Sequence, residues 1–83
     1  MRDLLVAGQR ELRGAIAKAI RIAIDEGHLE PRTDPWQLTF ELFGIVLATH
    51  HDFRLLGDAR ALERAGDALE RLIDAHRAAA PSA

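Results

Sequence analysis

The sequence predicts an all-α fold of three antiparallel helices, and three observations favour it. Apolar residues recur every three or four positions along most of the 83 residues, which is the period of an α-helix. Two stretches rich in turn-forming residues, around residues 27–34 and 57–58, divide the chain into three segments. No segment shows the alternating pattern of a β-strand. A chain of this length has room for one core, so residues 1–83 are expected to form a single helical domain.

The first predicted helix covers about residues 2–26. Leu12, Ile16 and Ile20 follow the helical period and give this segment an apolar face. Gly27 comes directly after the periodic run and can adopt the positive φ that often terminates a helix. The helix is therefore expected to end at about residue 26.

The second predicted helix covers about residues 35–56 and has a strong start signal. The Asp34 carboxylate can accept hydrogen bonds from first-turn amides, and Pro35 suits the first helical position. Gly57 supplies its end. Apolar side chains occupy well over half of the circumference, so this helix is expected to be buried on two sides.

The third predicted helix covers about residues 59–79, with Asp58 as its N-cap. Leu62 and Leu69 lie on one face, and charged residues such as Glu70 lie on the opposite face. Together with the second helix it would form half of an intermolecular four-helix bundle, completed by a second copy about a two-fold axis. We therefore expect a homodimer; the alternative is a monomeric helical core.

The composition argues against several classes of function. The chain has no cysteine and a net charge of -2, so disulfides and thiolate metal sites are excluded and direct contact with nucleic acid is not expected. There is also no tyrosine, no glycine-rich phosphate loop and one serine, in the C-terminal tail, so we expect no enzymatic activity and no cofactor. Charges interrupt each apolar run, so neither a signal peptide nor a membrane span is predicted, and the expected location is the cytoplasm.

Two adjacent histidines, His50 and His51, raise the question of a metal site. Consecutive residues on a helix diverge by about 100°, so this pair makes poor joint ligands, and we predict no metal site. A composite site that uses His50 with His76, or with a histidine of a partner, stays open as the alternative. A core histidine hydrogen-bonded to a neighbouring polar group is the more common arrangement.

Two segments, AIDEGHLEPRTDPWQLTFEL and GIVLATHHDFRLLGDARALERAGDALERLI, resemble the C-terminal region of TetR-family transcriptional regulators. The similarity extends over roughly Leu12 to Arg77. It implies that the last two helices dimerise as a four-helix bundle and that the domain contributes to a pocket for a small effector. The sequence contains no helix-turn-helix segment, so by this resemblance we expect a truncated regulator that does not bind DNA itself.

The apolar stripes and the resemblance together give two sets of candidate site residues. The candidate dimer interface comprises Phe43, Leu47, His50, Leu62, Ala65, Leu69, Leu72 and His76. The candidate pocket for a small hydrophobic effector comprises Trp36, Phe40 and Phe43. Aromatic residues at this spacing are also common in protein cores, and the sequence leaves open which stripe faces the mate. The predicted function is dimerisation and effector sensing in a TetR-like regulator; the alternative is a stand-alone helical protein interaction module.

Overall fold

The three predicted helices are present in a computed structural model, which describes residues 2–78. Helix α1 spans Arg2–Asp25, α2 spans Pro35–His50 and α3 spans Ala61–His76. A π-helical segment, His51–Leu55, continues directly from α2. No strand occurs among the described residues, so the all-α class is confirmed. The antiparallel order of the helices and the intermolecular bundle stay predictions.

Helix α1 ends in the turn that its sequence predicts. Gly27 has a φ of 82°, its amide donates to the carbonyl of Ile24, and the next amide, of His28, donates to the carbonyl of Ala23. These two bonds form a Schellman motif, which requires a residue that tolerates positive φ. The prediction that Gly27 terminates this helix is confirmed.

Helix α2 begins at the predicted cap. The Asp34 carboxylate accepts hydrogen bonds from the amides of Trp36 and Gln37 at 3.0 and 3.2 Å, and Pro35 occupies the first helical turn. The sequence predicted a regular α-helix up to residue 56. The α-helix instead ends at His50. From His51 onward the turn widens, so that the amide of Leu56 reaches back to the carbonyl of His51.

Helix α3 begins two residues later than predicted. The Asp58 carboxylate accepts a hydrogen bond from the amide of Arg60 at 2.9 Å. This bond stabilises a turn that precedes the helix, and not the first turn of the helix itself. The second carboxylate oxygen accepts from the Arg64 side chain at 3.1 Å. The helix ends at His76, and Arg77 is extended; the predicted end at residue 79 lies outside the described residues.

The core lies where the end of α1, the start of α2 and the connector between them meet. It is built around Ile20, Leu29 and Leu38, of which Leu38 is only 1% exposed. Leu72 of α3 packs against this cluster. The connector is also held by backbone pairing, since Glu30 donates to the carbonyl of His76 at 2.9 Å and Ala78 donates to the carbonyl of His28 at 3.1 Å. These bonds join the connector to the end of α3 and the residues after it.

The molecule is a thin layer of helices with an unusually large surface. Its principal extents are 48 × 32 × 14 Å, so the molecule is flat. The accessible surface is 6691 Å², whereas a compact monomer of 9.2 kDa exposes roughly 4,900 Å². The chain thus exposes on the order of 1,800 Å² more than a compact monomer of this size would.

Within residues 2–78, no helix is both long enough and apolar enough to cross a membrane.

The assigned end of α1 can be tested by two glycine substitutions, one at Gly27 after the helix and one at Gly14 within it. Gly27→Ala should lower the free energy of unfolding by about 1 kcal/mol, because alanine is strained at positive φ. Gly14→Ala, where an added Cβ meets no atom within 4 Å, should raise it by up to about 1 kcal/mol, because alanine favours the helix. Urea denaturation measures both. Equal effects of the same sign would contradict the assigned end of α1.

Candidate interaction surfaces

A groove between α2 and α3 collects four of the eight residues predicted for a dimer interface: His50, Leu62, Ala65 and Leu69. We call it the α2–α3 groove; Val46, Phe53 and Arg54 complete its main walls. Its volume is about 450 Å³, and it is open to solvent. Leu62 is 60% exposed at its edge. The groove is therefore an apolar surface that no part of residues 2–78 covers.

The π-helical segment forms one end of this groove. The amide of Asp58 donates to the carbonyl of Asp52 at 2.9 Å, six residues back, so the widened turn runs directly into the α2–α3 corner. Thr49, in the preceding turn, donates its hydroxyl to the carbonyl of Ile45 at 2.6 Å. Such single π-turns occur frequently at functional sites. Here the widened turn carries Phe53, which lines the groove.

A second groove, the α1–α3 groove, was not anticipated from the sequence. It has a volume of about 600 Å³, and its walls are mainly Ile16, Ala19 and Ala23 of α1 with Ile73 of α3. Arg77 lies at its edge and is paired with Asp74 at 2.7 Å. The apolar face of α1 was visible in the sequence, but its position opposite Ile73 depends on how the connector joins the two helices.

The remaining four predicted interface residues do not line this groove. Phe43 is buried inside the chain, and Leu72 packs against the core cluster. Leu47 is exposed on the outer side of α2. His76 lines a polar groove together with Thr33 and Gln37. The structure therefore distributes the predicted interface over several surfaces, and the contacts of a mate with these residues stay a prediction.

His50, His51 and His76 also lie in three different places. His50 lines the α2–α3 groove, whereas the Nδ1 of His76 donates to the carbonyl of Leu72 at 3.0 Å at the other end of α3. The Nδ1 of His51 lies 3.1 Å from Asp52 on the surface. Among residues 2–78, no group of three or more histidine and acidic side chains could hold a metal ion. One chain does not bring His50 and His76 together.

The three aromatic residues predicted to line a pocket are also divided. Trp36 is 54% exposed and Phe40 is 67% exposed on the outer side of α2. Phe43 is 9% exposed, and the guanidinium of Arg13 lies 4.6 Å from the centre of its ring. This distance is typical of a cation–π contact. The role of these residues in binding an effector stays a prediction.

Arg13 is a residue that the sequence reasoning missed. Its Nε is buried and has no hydrogen-bond partner among the described residues, and its guanidinium lies over the ring of Phe43. The sequence did contain a signal for this buried position. Arg13 is seven residues before Ile20 and therefore lies on the apolar face of α1. A cation on an apolar face indicates a specific partner.

Comparison with known proteins identifies a family. A family model described as "Tetracyclin repressor-like, C-terminal domain" matches residues 1–69. No curated protein and no solved structure matches the chain significantly. The matched span includes α1, α2 and the first half of α3, and therefore most of the residues that form the two grooves.

The different environments of Phe43 and Phe40 make a direct test. Phe43→Ala should lower the free energy of unfolding by about 3 kcal/mol or more, because it empties a buried site and removes the contact with Arg13. Phe40→Ala, three residues earlier on the exposed side of the same helix, should lower it by less than about 1 kcal/mol. Chemical denaturation monitored by circular dichroism measures both. A loss for Phe40→Ala as large as that for Phe43→Ala would show that Phe40 is covered in solution.

Proposed function

Because the chain belongs to the family of tetracyclin repressor-like C-terminal domains, we propose that it is the dimerisation and effector-sensing portion of a TetR-like transcriptional regulator, without DNA-binding capacity of its own. Domains of this family typically dimerise and bind small effectors. The sequence alone suggested this function through two segments. The surface of the folded chain adds independent support for each part of the proposal.

The observation that carries the dimerisation proposal is the unburied apolar surface of α2 and α3. Val46, Phe53 and Leu62 are all exposed beside the α2–α3 groove, although each is a large hydrophobic residue. An apolar patch of this kind marks an interaction site in a stable protein. A standard interface hides about 800 Å² per partner. The surplus surface of this chain is large enough to supply one.

Contacts between α2 and α3 support their pairing as half of a bundle. Gln37, near the start of α2, and His76, at the end of α3, line the same polar groove. Thr49, near the end of α2, and Ala61, at the start of α3, line a groove at the opposite end. This arrangement is what two antiparallel helices joined by a short corner produce. In the proposed dimer, a second pair would pack against this one.

Effector sensing is supported by the size and chemistry of the grooves. The volumes of the α1–α3 and α2–α3 grooves, about 600 and 450 Å³, lie within the range of small-molecule sites. Their walls are mostly apolar, which suits a small hydrophobic effector. In an intact regulator, an effector with different affinities for two arrangements of the dimer would shift the population between them and so change the spacing of two DNA-binding domains.

The distribution of charge supports the absence of DNA binding in this region. The net charge is -2, so this region has no overall excess of positive charge. A surface that binds phosphates needs a cluster of uncompensated cations. The same family membership favours a regulatory role over an enzymatic one, and we propose no catalytic residues.

Dimerisation is tested by a charge placed in the exposed part of the proposed interface. Leu62→Asp should leave the helices folded, because this side chain is 60% exposed in the single chain. It should weaken the dimer by about 3 kcal/mol or more, because the mate would bury an unpaired charge. Light scattering at tens of micromolar should show a dimer for the unmodified chain and a monomer for the variant.

The neighbouring substitution Glu63→Ala is the matched control. It lies on the charged face of α3 and should leave the dimer unchanged, since an exposed charge contributes little. If the unmodified chain is monomeric at this concentration, the proposal is wrong. A Leu62→Asp variant that stays dimeric would place the interface on another surface.

A further inference from the structure

Arg13 is a cation that the rest of the chain does not neutralise. It projects from the face of α1 that buries Ile20 farther along, and its Nε is buried without a hydrogen-bond partner. Among residues 2–78, no acidic side chain forms an ion pair with it. The ring of Phe43 attracts the charge but gives the N–H groups in the guanidinium plane no acceptor. A buried donor without an acceptor destabilises the fold, so its presence indicates a partner outside the chain.

A small cleft on α1 is lined by Arg13 together with Val6, Gln9 and Arg10, and we call it the Arg13 cleft. Helical side chains lean towards the N-terminus of their helix, so Arg13 reaches over the turn that carries Gln9 and Arg10. Arg10 is exposed and, like Arg13, forms no ion pair with another of the described residues. Every polar side chain that lines the cleft can therefore donate hydrogen bonds, and two of them are cations.

The local charge of the Arg13 cleft is positive, although the whole chain has a net charge of -2. Glu11 lies between the two arginines in sequence, but two helical steps place it about 160° from Arg13 around the helix axis. Glu11 is exposed on that side. A guanidinium presents a planar fork of donors that matches the oxygens of a carboxylate or a phosphate. The cleft therefore has both the charge and the donors that an anion requires.

We propose that the Arg13 cleft binds the anionic group of a small molecule, a carboxylate or a phosphate, with Arg13 as the principal cation and Arg10 and Gln9 as further donors. The cleft has a volume of about 170 Å³, which suits one such group, since sites that enclose a whole small molecule measure about 300 to 1,000 Å³. Two cations suffice for a single anion, whereas a DNA backbone needs a row of them. The cleft lies outside both apolar grooves, so this inference goes beyond the proposed function and does not depend on dimerisation.

Benzoate tests the site, and benzamide serves as a neutral ligand of the same shape. In a titration at constant ionic strength followed by two-dimensional NMR, benzoate should shift the amide signals of residues 9–13 with a Kd on the order of 10 mM. Benzamide should bind at least about tenfold more weakly, because hydrogen bonds to a charged group are stronger than those between neutral groups. Inorganic phosphate in the same titration distinguishes the two sources of the anion, since the probe that binds more tightly shows which oxyanion the cleft prefers.

The variant Arg13→Met separates a role in binding from a role in the fold. Methionine is long and unbranched, packs well against an aromatic ring and carries no buried donor. The variant should therefore unfold at the same urea concentration as the unmodified chain or at a higher one. It should also bind benzoate at least about tenfold more weakly. Arg10→Gln, at an exposed position, should weaken benzoate binding by about threefold and leave the urea midpoint unchanged.

Arg21→Met is the matched control, because it removes the same charge from an exposed position on the same helix. It should leave the Kd of benzoate unchanged. If it weakens benzoate binding as much as Arg13→Met does, the attraction belongs to the charge of the whole helix and the inference is wrong.

Three further results would overturn the inference. The first is a chain that binds neither benzoate nor phosphate at these concentrations, and the second is benzamide binding as tight as benzoate binding. The third is an Arg13→Met variant with a lower urea midpoint and unchanged benzoate binding, which would make Arg13 a structural residue held by Phe43. None of these measurements depends on the oligomeric state, so a negative result leaves the proposed function and its light-scattering test unaffected.

Discussion

The rest of the structure depends on the packing of Leu29 of the connector against Ile20 of α1 and Leu38 of α2. Helices α1 and α3 both pack along α2, and Leu72 of α3 also packs against the core cluster that contains Ile20 of α1. Leu29 fills the space at their ends beside Ile20 and Leu38, and the backbone of the connector pairs with residues 76–78. Because these bonds are confined to one end of the layer, the helices are held together there and leave grooves between them farther along.

This architecture explains why so much apolar surface stays exposed. Within residues 2–78, six hydrophobic residues are buried, whereas thirteen large ones are exposed. Three helices in a flat arrangement bury little more than the seams between them. The free energy of unfolding of such a chain therefore depends on the partner that buries its exposed apolar surface. Domains of this family typically dimerise. Dimerisation would then contribute to folding as well as to regulation.

The structure also assigns different environments to residues that the sequence treated together. Phe43 and Phe40 are three positions apart on α2, yet Arg13 covers one while the other faces outward. His50 and His76 both looked like buried histidines, but one lines an open groove and the other bonds to the backbone of its own helix. The apolar grooves, and not the aromatic residues alone, are the surfaces with the volume to hold a ligand or a helix.

The sequence by itself determined the helices and their main boundaries, because these depend on groups within a few residues of one another. The Asp34 cap, the positive φ at Gly27 and the Gly57 corner are local in this sense. The tertiary structure decided which stripe of α2 is buried, because apolar residues surround most of that helix and only the positions of α1 and α3 distinguish its sides. It also decided the π-helical segment and the α1–α3 groove, since both depend on how the corner and the connector bring distant residues together.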